Sequence, residues 1–228
     1  MSRNGARQLA FDLPHRAAFG AEDFLVAPPN AAAVAWLDRW PDWPGAGLAL
    51  HGPQGCGKSH LLRVWQARSG ARVLRCSDVS SMDLIAFAEA PQPVALDDCD
   101  GALSERELLH LHNLIADARR HILMAGREPP SRWPVRLPDL RSRLSAVTAV
   151  AIAPPDDALL AAILVKLFSD RQLRVERAVI DYLLARMERS FGAAERLVGR
   201  LDVLGLALGR PITVALARRA VEEEEKEG

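Results

Sequence analysis

A parallel β-sheet of five strands flanked by helices, followed by a small all-helical domain, is the fold class that the sequence predicts. Three observations carry it. Five short apolar runs alternate with helical or loop segments, a glycine-rich loop follows the first of those runs and precedes a helix, and strand signals stop after Pro154 and Pro155. Alternation of this kind marks a parallel sheet with helices on both faces. With 228 residues, 49% of them hydrophobic and 25% charged, the chain can bury a core without disulfide or metal staples.

Each element follows in order. Residues 1–16 read as a flexible tail, and Phe19 to Pro44 as an aromatic-rich lead-in with a short helix at Ala31 to Trp40, bounded by Pro28, Pro29, Pro41 and Pro44. The expected strands are Leu48 to His51, Arg72 to Cys76, Val94 to Asp97, His121 to Ala125 and Val147 to Ile152. A helix is expected at Ser59 to Arg68. Ser104 followed by Glu107 is a capping-box signature for another, running to about Ala118 with Leu108, Leu111, Leu114 and Ile115 as its apolar face. The stretch between the fourth and fifth strands is loop-rich. Helical spacing then covers Asp156 to Asp170, Glu176 to Glu188, Ala193 to Leu208 and Val214 to Glu225. The organisation is a tail (1–16), an α/β domain (17–153) and a helical domain (154–228), with the acidic run Glu222 to Glu227 as a fraying, solvated helix end.

Composition narrows the function classes. Lys plus Arg and Asp plus Glu both total 29, so the net charge is zero, which argues against wrapping nucleic acid through bulk charge. Three cysteines without a CxxC pair suit free thiols in a reducing, cytoplasmic compartment. The N-terminus is neither a signal peptide nor a membrane span, and no other run is long enough to cross a bilayer. His110 and His112, two apart on a helix, point to different faces and lack metal-ligand spacing.

The chemistry sits in Gly52-Pro53-Gln54-Gly55-Cys56-Gly57-Lys58-Ser59, which fits GxxxxGK[ST] between a strand and a helix. Glycines let successive backbone N–H groups turn around phosphate oxygens, and the helix start adds its dipole. Lys58 would bridge the β and γ phosphates of a nucleoside triphosphate, and Ser59 would hold Mg²⁺ through its hydroxyl. Such a loop calls for an Asp at the end of a neighbouring apolar strand, and Val94-Ala-Leu-Asp97-Asp98 supplies it: Asp97 for Mg²⁺, Asp98 to orient or deprotonate an attacking water. Cys56 lies where a helix N-terminus would lower a thiol pKa, although such positions usually offer only a backbone contact. Arg127, Arg132, Arg136, Arg141 and Arg143 are a solvated face, a phosphate-binding patch, or the source of an arginine finger that stabilises charge on a γ-phosphate in a neighbouring subunit.

With these motifs the chain resembles AAA+ proteins of the bacterial initiator DnaA group, most closely their short regulators of the Hda type, from residue 8 to about residue 221. Asp23-Phe24-Leu25-Val26-Ala-Pro-Pro-Asn30 is similar to the segment that lines the adenine pocket, and His51 to Leu62, including His60, to the group's P-loop. Leu137-Pro-Asp-Leu-Arg-Ser-Arg143-Leu resembles its arginine-finger segment. By that resemblance Arg143 is the finger, with Arg141 as the near alternative. Gln8-Leu9-Ala-Phe11-Asp-Leu13 is similar to a peptide that docks on the DNA polymerase sliding clamp. Physically, Gln8 would hydrogen-bond through its amide while Phe11 and Leu13 fill an apolar pocket beside Leu9; an apolar segment folding back onto its own domain is the alternative.

What the resemblance implies is a negative regulator of replication initiation that holds ADP or ATP with Mg²⁺. Its partners would be DnaA and the sliding clamp, with a homodimer left open and neither a membrane nor sequence-specific DNA among them. A loader or matchmaker for a helicase or another replication protein is the alternative. The chain ends without room for the helix-turn-helix domain of the initiator, which favours the regulator. Two departures point to weak intrinsic hydrolysis: Ala125 stands where a small polar residue usually senses the γ-phosphate, and Glu195 where the lid usually offers an arginine, with Arg196 one residue off.

Overall fold

The computed structural model describes residues 25–81, 84, 90–101 and 104–227. They divide into two compact units, one up to Pro154 and one from Pro155.

In the first unit the elements run α1 (Ala31–Asp38), β1 (Gly47–His51), α2 (Lys58–Ser69), β2 (Arg72–Arg75), β3 (Val94–Asp97), α3 (Glu105–Asp117), β4 (Ile122–Gly126), α4 (Pro138–Ala146) and β5 (Thr148–Ala151), with 3₁₀ turns at Cys76–Ser81 and Pro130–Arg132. All five strands are parallel, in the order β2-β3-β4-β1-β5. Alternation along the strands sends side chains to two faces. Leu48, Leu50, Leu123, Ala125 and Val150 pack with Val34, Leu37, Leu62 and Trp65 of α1 and α2. Ala49, Leu96, Ile122 and Met124 pack with Leu108, Leu111 and Ile115 of α3 and with Leu140 and Leu144 of α4. Trp43 stacks on Trp65 at 5.4 Å between centroids, and Trp40 meets Trp65 edge-on at 6.0 Å, closing the first core.

The second unit holds α5 (Asp157–Asp170), α6 (Arg177–Leu184), α7 (Phe191–Leu208) and α8 (Val214–Glu227). Its core joins Leu160, Leu164 and Phe168 of α5 to Ile180, Leu183, Leu197, Leu201 and Ala217. Asp156 caps α5 by accepting from the Leu159 N–H at 2.8 Å, and Ser190 caps α7 by accepting from the Ala193 N–H at 3.1 Å. Gly209, at φ 58°, ends α7 in the left-handed conformation.

Four local expectations are corrected. The loop-rich stretch before β5 contains α4, opened by Pro138 at its first turn. The Ser104 side chain makes no cap bond at the start of α3, so the capping box does not form. Leu114 is only half-buried on α3, where His112 takes a core position. The acidic run does not fray: α8 continues through Glu227, and Glu223 and Glu224 accept from Arg219 and Arg196, each at 2.8 Å. Among the described residues, no helix is long and apolar enough to cross a membrane.

Candidate functional site

Strand order determines what meets at the C-terminal edge of the sheet. β4 lies between β1 and β3, so Asp97 is two strands from His51, about 10 Å at ordinary strand spacing, and not on the adjacent strand. The edge therefore reads β5, the loop after β1, the end of β4, then Asp97 and Asp98 after β3. Between β1 and β3, Ala125 and Gly126 form the floor.

Residues 52–59 are anchored on both sides. The Gly52 N–H is shared between the carbonyls of Gly126 at 3.3 Å and Arg127 at 3.1 Å, beyond β4. On the β5 side, a Cβ on Gly52 would stand 2.2 Å from the Ile152 carbonyl oxygen, so only glycine allows this approach. Gly55 (φ 76°) and Gly57 (φ 98°) are left-handed, and Gly57 offers no side-chain cap to α2, which leaves the helix start as an anion-binding terminus. Lys58 bends back into the loop, its Nζ donating to the carbonyls of Gly52 at 2.7 Å and Pro53 at 2.8 Å. The ammonium is thus held against the loop's own carbonyls. Pro53, Gln54, Ser59 and His60 are exposed around it. Cys56 is buried, its Sγ 3.8 Å from Lys58 Nζ; burial pushes the thiol pKa up against the opposing pull of Lys58, contrary to the lowering expected at a helix N-terminus.

The lead-in reaches the same edge. The Pro29 carbonyl accepts from the Ala153 N–H at 3.0 Å, just past the Ile152 against which Gly52 packs. Leu25 is buried and Val26 half-buried. Asn30, 3% exposed, uses its amide within its own turn: Oδ1 accepts from the Ala27 N–H at 2.9 Å and Nδ2 donates to the Leu25 carbonyl at 3.0 Å. It shapes residues 25–30, so a ligand there would meet the segment's backbone and the Val26 side chain before the Asn30 amide. Phe24 lies outside the described residues, as do Gln8, Leu9, Phe11 and Leu13.

At the far side of β4, the half-buried Asp97 accepts from the Asp98 N–H at 3.0 Å. Asp98 is exposed at φ 60°, a left-handed conformation uncommon for a residue with a Cβ. Its neighbours hold it there: the Cys99 N–H donates to the Ala125 carbonyl at 2.8 Å, and Asp100 accepts from the Arg127 N–H at 2.8 Å. Asp100 thereby links the ends of β3 and β4, a positioning role without a sequence signal. The Ser59 hydroxyl and the Asp97 carboxylate are hard oxygen donors suited to Mg²⁺, which takes its other ligands from phosphate and water. No cluster of three or more His, Cys, Asp or Glu competes for a metal among the described residues.

Arg143 is at the opposite end. On α4 it lines a cleft with Gly47 and Thr148, the first residues of β1 and β5, about 13 Å along the strand from His51. Arg141, two residues earlier, is tied to the Val135 carbonyl, whereas no hydrogen bond or ion pair holds the exposed Arg143 among the described residues. Glu105 braces the start of α4, its carboxylate accepting from the N–H groups of Arg136 at 3.0 Å and Leu137 at 2.7 Å; those bonds hold its pKa below the usual range. In the helical unit the exposed Arg196 donates to Glu224 at 2.8 Å and lies 3.7 Å from Glu188, so its guanidinium is engaged by two carboxylates; Glu195 is exposed beside it.

No family model matches the chain. It is 27% identical to the chromosomal replication initiator protein DnaA of Thermomicrobium roseum over 228 residues, covering 89% of this chain and 49% of that protein. It is 23% identical to the DnaA of Nautilia profundicola over 231 residues, covering 90% and 52%. The chain spans about half the length of these relatives. Among solved structures, domain III of the Thermotoga maritima DnaA superposes with a TM-score of 0.74 at 18% identity, covering 89% of this chain and 95% of that one. The fold is the AAA+ P-loop fold of that domain, and the chain is similar in sequence to DnaA initiators over about half of their length.

Proposed function

We propose that the chain is a nucleotide-holding, DnaA-like regulator of replication initiation, which stimulates hydrolysis of ATP bound to DnaA through Arg143. One observation carries it: within one compact unit, the P-loop and the untethered Arg143 stand at opposite ends of the sheet. A guanidinium at the N-terminal strand ends acts on a nucleotide held by another molecule, not on its own. Lys58 and the loop N–H groups would hold ATP or ADP, Ser59 and Asp97 would hold Mg²⁺, and Asp98 would orient water. Mg²⁺ would screen phosphate charge there. Ala125, fully buried, offers no polar side chain at the end of β4, which fits a slow intrinsic ATPase. In support, the chain resembles DnaA in sequence, and a similar structure, the DnaA of Aquifex aeolicus, was solved with AMPPCP bound (TM-score 0.69, 18% identity, covering 89% of this chain and 68% of that one).

Docking of Gln8 to Leu13 on the sliding clamp would concentrate the protein at replicating DNA. The test is to load DnaA with labelled ATP, add this protein with clamp on DNA, and follow ADP. An arginine finger supplied in trans is worth about 10³ to 10⁵ in rate, so clear acceleration is expected, with loss in Arg143→Ala and on omitting the clamp. No acceleration with nucleotide and clamp binding intact would overturn the regulator and leave a loader or matchmaker.

A further inference from the structure

The cleft at the N-terminal strand ends has a volume of about 220 Å³ and is walled by Gly45, Gly47, His112, Arg143, Val147 and Thr148 among others, with no acidic residue in its lining among the described residues. His112 is 8% exposed, and its Nδ1 is buried without a hydrogen-bond partner among the described residues. A polar atom left this way in a folded core weakens the fold unless something answers it. Burial, reinforced by the Arg143 charge, holds the imidazole below its ordinary pKa and therefore neutral at pH 7. The cleft thus carries one positive charge, the Arg143 guanidinium, beside a neutral ring and Thr148. A Cβ on Gly45 would meet nothing within 4 Å, so the approach is open.

We propose that this cleft is a socket for a single carboxylate, gripped by Arg143 with Thr148 and His112 alongside. Guanidinium and carboxylate match in geometry, and one positive charge matches one negative charge, where a phosphate monoester would bring nearly two. The carboxylate comes either from a small free acid or from an Asp or Glu side chain of another protein. Where Arg143 serves as the trans-acting arginine, and only this consequence rests on that role, an occupied socket holds the guanidinium away from a γ-phosphate and makes stimulation dependent on release.

The full chain, at fixed pH 7.5 and matched ionic strength, is titrated with sodium acetate, with capped Gly-Glu-Gly peptide and with dimethyl phosphate. The His112 ring Hε1 resonance is followed, assigned by its absence in His112→Gln. A saturable shift with acetate and peptide is expected, with a midpoint on the order of 10 mM and at least tenfold weaker in Arg143→Gln, whose exposed side chain leaves the fold unchanged in the same spectra. Tighter peptide than acetate assigns the socket to a protein side chain; equal midpoints assign it to a free acid. A shift that never saturates, one that survives Arg143→Gln, or preferential saturation by dimethyl phosphate, as a nucleic-acid backbone would give, overturns the carboxylate socket. Neither nucleotide nor DnaA takes part, so failure here leaves the hydrolysis test above standing.

Discussion

The two ends of one sheet differ in how their cationic groups are held. At the C-terminal end, Lys58 is drawn into its loop by two carbonyls, Gly52 is wedged against Ile152, and Asp98 is fixed by bonds on both sides. Arg143 at the N-terminal end is itself untied, on an α4 whose start is held nearer the opposite edge by Glu105 and the Arg141 tether. A preorganised cradle suits a ligand that stays bound, and a free guanidinium on a braced helix suits a group presented to something that comes and goes. On the proposed function, the difference gives holding to one end and presenting to the other.

Breaking the cradle should have the largest effect. Gly52→Ala forces a Cβ onto the Ile152 carbonyl oxygen, and we expect adenine-nucleotide binding by calorimetry to fall more than about 100-fold, with a lower Tm. Lys58→Ala removes the charge and its bonds to the Gly52 and Pro53 carbonyls but leaves the backbone of the loop, so a loss of roughly 10- to 100-fold is expected with a smaller change in Tm than in Gly52→Ala. Where α4 starts, Glu105→Gln halves the acceptor set; faster amide hydrogen exchange at Arg136 and Leu137 and unchanged nucleotide affinity should follow. Equal exchange in both proteins would remove Glu105 as the brace.

The smallest effect is a pH dependence shared between the ends. His51, His112 and His121 all have pKa values lowered by burial from an ordinary 6.5, so below that pH the unfolded chain binds more protons than the folded one. Stability from these groups is present above 6.5 and is lost as pH falls through the lowered values. Tm should therefore drop between pH 7.5 and 5.5, and His112→Gln should flatten that drop; an unchanged slope would deny His112 its part.

The strands were legible in the sequence because each carries a short apolar run, buried along its length in β1, β3 and β4 and partly exposed in the edge strands β2 and β5, and the observed five lie within about a residue of those expected. The placement of β4 between β1 and β3 was not, since ladder pairing is non-local and leaves no periodicity. α4 was missed because its arginines and serine dilute the apolar pattern, although Pro138 at its first turn and Asp139 beside it are helix-start signals. The phosphate loop was legible because its chemistry is local: glycines, Lys58 and Ser59 adjoin in the chain. Asn30 turning its amide on its own backbone, Asp100 reaching Arg127, and the meeting of His112 with Arg143 depend on contacts between segments far apart or on a particular rotamer, which residue type alone does not encode.

The division between holding and presenting is tested most directly by this protein's own affinity for ATP in Arg143→Ala beside Lys58→Ala. Arg143→Ala is expected to bind within about twofold of the native chain while Lys58→Ala loses roughly 10- to 100-fold. An Arg143→Ala protein as weak as Lys58→Ala would mean that the arginine serves its own nucleotide, and the two ends would not be separate.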